Sequence, residues 1–138
     1  MSGSAPSDDA GSVLLLTLGY ALLAIALVLV CVDATSLYLA QKRVEAAADA
    51  AALAGADGFT LTMTGGQPRA TLTDAGIHAQ AIDILVVYGD TSLVSAGTDD
   101  GVSARVTVST LWRPPVLSIF VPEGVLLDAT ATSRTALR

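Results

Sequence analysis

One histidine, one cysteine and thirteen acids are nearly all that this chain offers for side-chain chemistry. A nucleophile needs a base within hydrogen-bond reach, and a zinc-type site needs several His, Cys or carboxylate ligands converging. His78 has no Cys, second His or positioned acid at a ligand spacing, and reads as a structural or surface histidine. Cys31 falls inside an apolar run, so no intrachain disulfide is available and it reads as a small apolar residue. Val28-Leu29-Val30-Cys31 lacks the small residue before the Cys that a lipoprotein site requires. Asp99-Asp100 could pair for calcium binding or acid–base work, but adjacent acids between Gly97 and Gly101 read as turn residues. Gly65-Gly66 lacks the Lys-Ser/Thr that follows in a phosphate loop, and neither Gly-x-Ser-x-Gly nor His-Glu-x-x-His occurs. The expectation is a protein that is not an enzyme, with no catalytic residues, metal, cofactor or small-molecule substrate.

What remains is the chemistry of solvent. The run from Val13 to Val32 is uncharged and apolar almost throughout. At ~1.5 Å rise per residue, about 20 such residues cross the ~30 Å hydrocarbon core of a bilayer. The run therefore reads as a transmembrane helix near Met1, with everything after it folding on one side of the membrane. A cleaved secretory signal fits poorly. Asp8 and Asp9 precede the run without Lys or Arg, the run is too long, and helical sequence continues past it without a small-residue break. Asp33 stands at the membrane exit, either as a solvated boundary residue or as the partner of a basic group on a neighbouring helix. Tyr38 and Lys42 suit the interface as anchors, and Gly19 permits close helix contact. All seven Lys and Arg residues follow the run. The positive-inside rule alone would place the C-terminal part in the cytoplasm.

Composition narrows the partners. A net charge of -6 with only 14% charged residues argues against nucleic-acid binding. Aromatics at 4% leave little for an aromatic-lined pocket. The 138 residues suffice for the anchor and one small domain.

Residues 1–11 are small, polar and Pro/Gly-containing and read as a disordered tail. A long helix is expected over 12–57, capped by Ser12 or Asp9 and stopped at Gly55 or, more strongly, at Asp57-Gly58. It would measure about 65 Å, half of it in the membrane and half an Ala-rich stalk. Val44, Ala47, Ala48, Ala51 and Ala54 form a small-residue stripe on the stalk, suited either to a partner helix or to this chain's own sheet. From residue 58 to 138 the period changes and a small αβ domain is expected. Phe59–Thr64 alternates as a strand and Gly65–Pro68 turns the chain. Thr73–Tyr88 reads as a second helix with Ile77, Ala81, Ile84, Leu85 and Tyr88 on one face. Thr91–Ala96, Val102–Ser109 and Val125–Arg134 read as strands, with Pro114-Pro115 and the apolar link Val116–Val121 between the last two. Three or four antiparallel strands with one apolar face result, covered by the second helix and the C-terminal half of the long one.

The stretch Asp-Ala-Gly-Ser-Val-Leu-Leu-Leu-Thr-Leu, the apolar helix, Val32-Asp33, Tyr38-Leu39 and the run Gln41 to Ala56 together resemble the N-terminal region of TadE/TadG-like proteins. These are components of bacterial tight-adherence (Flp-type) pilus systems, and the size looks like the short actinobacterial versions. The resemblance covers about residues 8–56. It implies an α+β, pilin-like fold, a long N-terminal helix carrying a small antiparallel sheet and one further helix. It also implies a structural minor pilin-like or assembly component with its C-terminal domain exported. The partners implied are the lipid bilayer and other pilin or pilus-assembly subunits, met through the N-terminal helix. Gly11 and Ser12 mark the candidate processing site. Cleavage there would place Leu16 fifth, where a prepilin-type site carries Glu, so an uncleaved anchor is expected. The rival readings are a membrane-tethered binding or adhesion module outside any filament and a cytoplasm-facing regulator.

Overall fold

The computed structural model describes residues 8–135. Its first element, α1, runs from Asp8 to Asp57 as one 50-residue helix, about 75 Å long. Proline is absent from it, and Ala and Leu, among the best helix formers, dominate it. The helix begins before the expected cap, so Asp9 and Ser12 lie inside it, and residues 8–11 of the expected tail are helical. The rest of that tail, residues 1–7, lies outside the described residues.

Two further units follow. Strands β1 (Thr60–Thr64) and β2 (Gln67–Thr71) form a separate antiparallel hairpin. Its two-residue turn is Gly65-Gly66, with φ of 62° and 80°. A tight hairpin turn of this hand needs positive φ at both central positions, which glycine adopts without strain. Pro68 masks β2 in the sequence. It is tolerated because each strand here is an edge and the missing N–H interrupts no central ladder.

Helix α2 (Asp74–Leu85) starts where the Thr73 hydroxyl accepts the Gly76 N–H at 3.2 Å, leaving Thr73 in extended conformation. That is the side-chain cap a helix start requires. A 3-10 turn over Val86–Tyr88 completes the expected helical stretch.

The main sheet is a meander of β3 (Thr91–Gly97), β4 (Ser103–Trp112) and β5 (Val125–Arg134), all antiparallel with β4 central. Val106 faces Ala131 and Val108 faces Ala129 across β4 and β5. On the other side Leu93 pairs with Val108 and Ala96 with Val106, with a register shift between Leu93 and Ser95. Leu93 and Ala96 are three apart, which strict alternation would send to opposite faces. The bulge absorbs the extra residue and keeps both on the core side.

One face of this sheet is covered by the C-terminal part of α1, lying across β4 and β5, and by α2, which packs on β3 and α1. The core consists of Val44, Ala47, Ala48, Ala51, Ala52 and Ala56 from α1, Leu72 before α2, Ile77, Ala81 and Leu85 from α2, Ala104, Val106 and Val108 from β4, and Ala131 from β5. The fold is the α+β, pilin-like arrangement expected, with a three-stranded main sheet and a separate hairpin.

Candidate functional site

The long helix has two environments. From Val13 to Val32 every residue is exposed on all sides. This segment is long and apolar enough to cross a membrane. Its one aliphatic hydroxyl, Thr17, donates to the Val13 carbonyl at 2.8 Å, satisfying itself within the helix as a lipid-facing hydroxyl must; the other hydroxyl of the segment, on Tyr20, is exposed. Gly19 has open space around it and Cys31 is exposed. Gly11 and Ser12 are exposed within unbroken helix.

The change of environment falls on Asp33. It is 5% exposed, and its Oδ1 accepts the Val116 N–H at 3.1 Å. Its Oδ2 is buried without a hydrogen-bond partner. Asp33 is thus not the solvated boundary residue that one sequence expectation made it: within the chain it is buried and accepts a backbone amide. One turn further on, the Trp112 indole Nε1–H donates to Ser36 Oγ at 3.1 Å. These two bonds tie the membrane-side end of the β4–β5 connection to α1. Sequence reading misses both, because a partner 83 or 76 residues away leaves no local signal.

Beyond the junction, Tyr38 and Lys42 stay exposed on the helix surface. The Lys42 ammonium lies 5.9 Å from the Tyr38 ring centroid and 2.6 Å from Glu45 Oε2. The hydrogen bond to Glu45 raises the Lys42 pKa, and the same bond lowers that of Glu45. Both groups are in water, so the pair contributes little to stability.

The small-residue stripe is taken up inside the subunit. Val44, Ala47, Ala48 and Ala51 are completely buried, packed under this chain's own sheet and α2, and are not open to a partner helix. Ala54 is half-buried. Gly55 continues the stripe. A Cβ there would stand 2.8 Å from Ile77 Cγ2, and one at Gly76 would stand 3.1 Å from the Gly58 carbonyl oxygen. These glycines, which read from sequence as helix stops or went unmarked, set the close approach of α1 and α2.

The remaining polar candidates are scattered. His78 is exposed on α2. Asp100 organises its loop: Oδ1 accepts the N–H of Val102 at 2.9 Å and of Ser103 at 2.6 Å, and Oδ2 accepts the Ser103 hydroxyl at 2.8 Å. The two amides, Val102 first, hold its carboxyl well below the usual carboxylate range. Asp74 Oδ1 accepts the Thr98 N–H at 2.8 Å and fastens the same loop to α2. Among the described residues no three His, Cys, Asp or Glu side chains cluster as metal ligands. A cleft of about 500 Å³ opens between α1 and the membrane-side ends of α2 and β4, with Arg43, Tyr88, Asp90, Trp112 and Arg113 on its walls.

Residues 11–58 match the family described as "Putative Flp pilus-assembly TadE/G-like". The matched segment coincides with the long helix, and the TadE/TadG-like resemblance read from the sequence is supported over that segment. No curated protein and no solved structure matches the chain.

Proposed function

We propose that this protein is a structural minor pilin-like or assembly component of a tight-adherence pilus. Its N-terminal helix anchors it in the membrane and its αβ domain lies outside the cytoplasm. One observation carries the reading: the pilus-assembly match falls on a helix that is bare over residues 13–32 and then becomes the spine of a folded domain. Such a helix presents its bare half to lipid or to other apolar helices while the domain keeps its own core. The anchor is retained uncleaved, since Leu16 occupies the position where a processed prepilin carries an acid. The family description concerns pilus assembly and names no reaction, in keeping with a structural role.

The test is mass spectrometry of the mature protein from membrane and sheared extracellular fractions, combined with protease protection of the domain in intact cells. An intact N-terminus in membranes with a protease-accessible domain is expected. A chain beginning at Ser12 in the sheared fraction would instead make it a processed filament subunit. A domain protected inside the cell would overturn the pilus reading. The cleft walled by Arg43, Trp112 and Arg113 favours a second reading, a membrane-tethered binding module. Under that reading deletion of the protein leaves pilus formation intact.

A further inference from the structure

We propose that the loop between β4 and β5 is a second membrane contact, a wedge seated in the interfacial layer of the bilayer beside the helix. The inference rests on α1 crossing that bilayer.

Three observations lead to it. First, the loop is held at the right depth. Asp33 is the first residue after the apolar run, and its carboxylate accepts the Val116 N–H at 3.1 Å. The Trp112 bond to Ser36 fixes the same end of the loop, and the pairing of Trp112 with Val125 brings the chain back beside it. Whatever depth α1 adopts, the loop sits where the helix leaves the hydrocarbon.

Second, the loop has the chemistry of an interface. From Pro114 to Pro122 it carries no charged side chain, and Arg113 and Glu123 bound it. Its 3-10 turn, Leu117–Ile119, leads into Phe120. Ile119 is 85% exposed and Phe120 79%. Held at this depth, two such side chains would meet the interfacial layer rather than bulk water, and an aromatic there suits the headgroup boundary. The turn spans about 6 Å, comparable with one polar headgroup layer, roughly 5–8 Å thick.

Third, the apolar surface continues on both sides. Leu111 and Leu126, paired across β4 and β5 next to the loop, are exposed, as are Leu37 and Leu39 on α1. The opposite end of the domain differs. Ten-residue β4 separates the loop from the Thr98–Val102 turn, a distance of about 33 Å, and that turn carries Asp99 and Asp100.

The wedge gives the domain two attachments to the membrane surface instead of one, which fixes its tilt and rotation about the helix. The experiment uses the full chain in a Cys31→Ala background, in vesicles of phosphatidylcholine and phosphatidylglycerol. Single cysteines at Phe120→Cys, Ile25→Cys and Asp99→Cys carry an environment-sensitive fluorophore, and the lipids carry a nitroxide at a shallow or a deep acyl position. All three sites are exposed, so labelling leaves the core untouched. The label at 120 is expected to lose its emission to the shallow nitroxide, the label at 25 to the deep one, and the label at 99 to neither. If 120 behaves like 99 while 25 is quenched, the wedge is wrong and the anchor stands. If 25 also escapes quenching, the anchor fails and takes the wedge with it. If 120 is shielded from aqueous iodide but untouched by lipid nitroxides, and the unlabelled Phe120→Cys chain forms disulfides between copies, the loop is a subunit contact. That result also overturns the proposal.

Discussion

Replacing Gly55 by Ala pits two effects of opposite sign against each other. In a helix interior Ala is better than Gly by about 1 kcal/mol. The new Cβ, however, would lie 2.8 Å from Ile77 Cγ2 and 3.5 Å from Ala104 Cβ. Ile77 and Ala104 are both fully buried, and a β-branched side chain has little rotameric freedom to retreat. Overpacking of this kind costs about 1–3 kcal/mol. The clash therefore wins, with a net destabilisation of about 1 kcal/mol. For a domain near 100 residues that lowers Tm by roughly 4–8 °C. The assay is thermal unfolding of the full chain in detergent micelles, followed by the near-UV signal of Trp112, the single tryptophan. Ile77→Leu removes the offending γ-methyl branch, so the double variant should recover stability relative to the sum of the two single changes. The coupling expected of contacting residues is about 0.5–3 kcal/mol. The sign decides where the stripe packs. Were Val44, Ala48, Ala51 and Gly55 a seam for another subunit, Gly55→Ala in the isolated chain would gain helix propensity without a clash. A raised Tm would refute the intrachain packing on which this reasoning depends.

Three further outcomes follow from the junction and the distal loop. Asp33→Ala strands the Val116 N–H and should cost about 1–3 kcal/mol, whereas Asp33→Asn keeps an acceptor and should stay close to the parent. Thermal unfolding of both variants and amide exchange at Val116 check the pair. Ser36→Ala removes the bond from Trp112, a loss of about 0.5–1.5 kcal/mol; Trp112→Phe loses the same bond and part of the indole's packing and should cost more, and in thermal unfolding the two changes should combine to less than their sum. Asp100 has a folded pKa below its unfolded value of about 3.9. Its stabilisation is therefore complete above that value and is lost as pH falls through it toward the folded one. Protection of the Val102 and Ser103 amides should drop in acid, and in Asp100→Ala it should be low at every pH.

The elements readable from sequence were those with a long or strict period. The apolar run announces a membrane span through its length, and the α2 face at Ile77, Ala81 and Leu85 and the alternation Ala104, Val106, Val108 announce burial through spacing alone. Strand β2 did not, because Pro68 and two preceding glycines read as a turn when no partner strand is in view. The bulge in β3 is equally silent, since Leu93 and Ala96 look out of phase until β4 supplies the register. The junction was least legible. An acid at the end of an apolar run reads as a marker of water, but here it accepts an amide from a segment far along the chain and is buried by it. The stripe was seen, and its two readings differ only in what lies opposite. Gly55 and Gly76 show that the opposite surface is this chain's own α2.

The division of α1 at Asp33 also constrains how subunits of this kind could associate under the proposed function. Moving the bare half of the helix from lipid into a bundle of apolar helices removes no apolar surface from water, so the usual hydrophobic term is absent. Interhelical hydrogen bonds could replace it only in part, because few polar groups are at hand and two of them are already engaged. The Thr17 hydroxyl donates to its own backbone, and Asp33 Oδ1 holds Val116. Association then draws mainly on shape, on how closely helix backbones approach where Gly19 leaves open space. The domain needs none of this, because its core draws on α1 only from Val44 onward. Folding and assembly therefore occupy different stretches of one helix. A bulky residue at Gly19 should leave the domain's Tm unchanged while altering association in the membrane. A bulky residue at Ala48 should unfold the domain before association can be measured. If Gly19→Leu lowered the domain's Tm, the two halves would be coupled and the separation argued from Asp33 would be wrong.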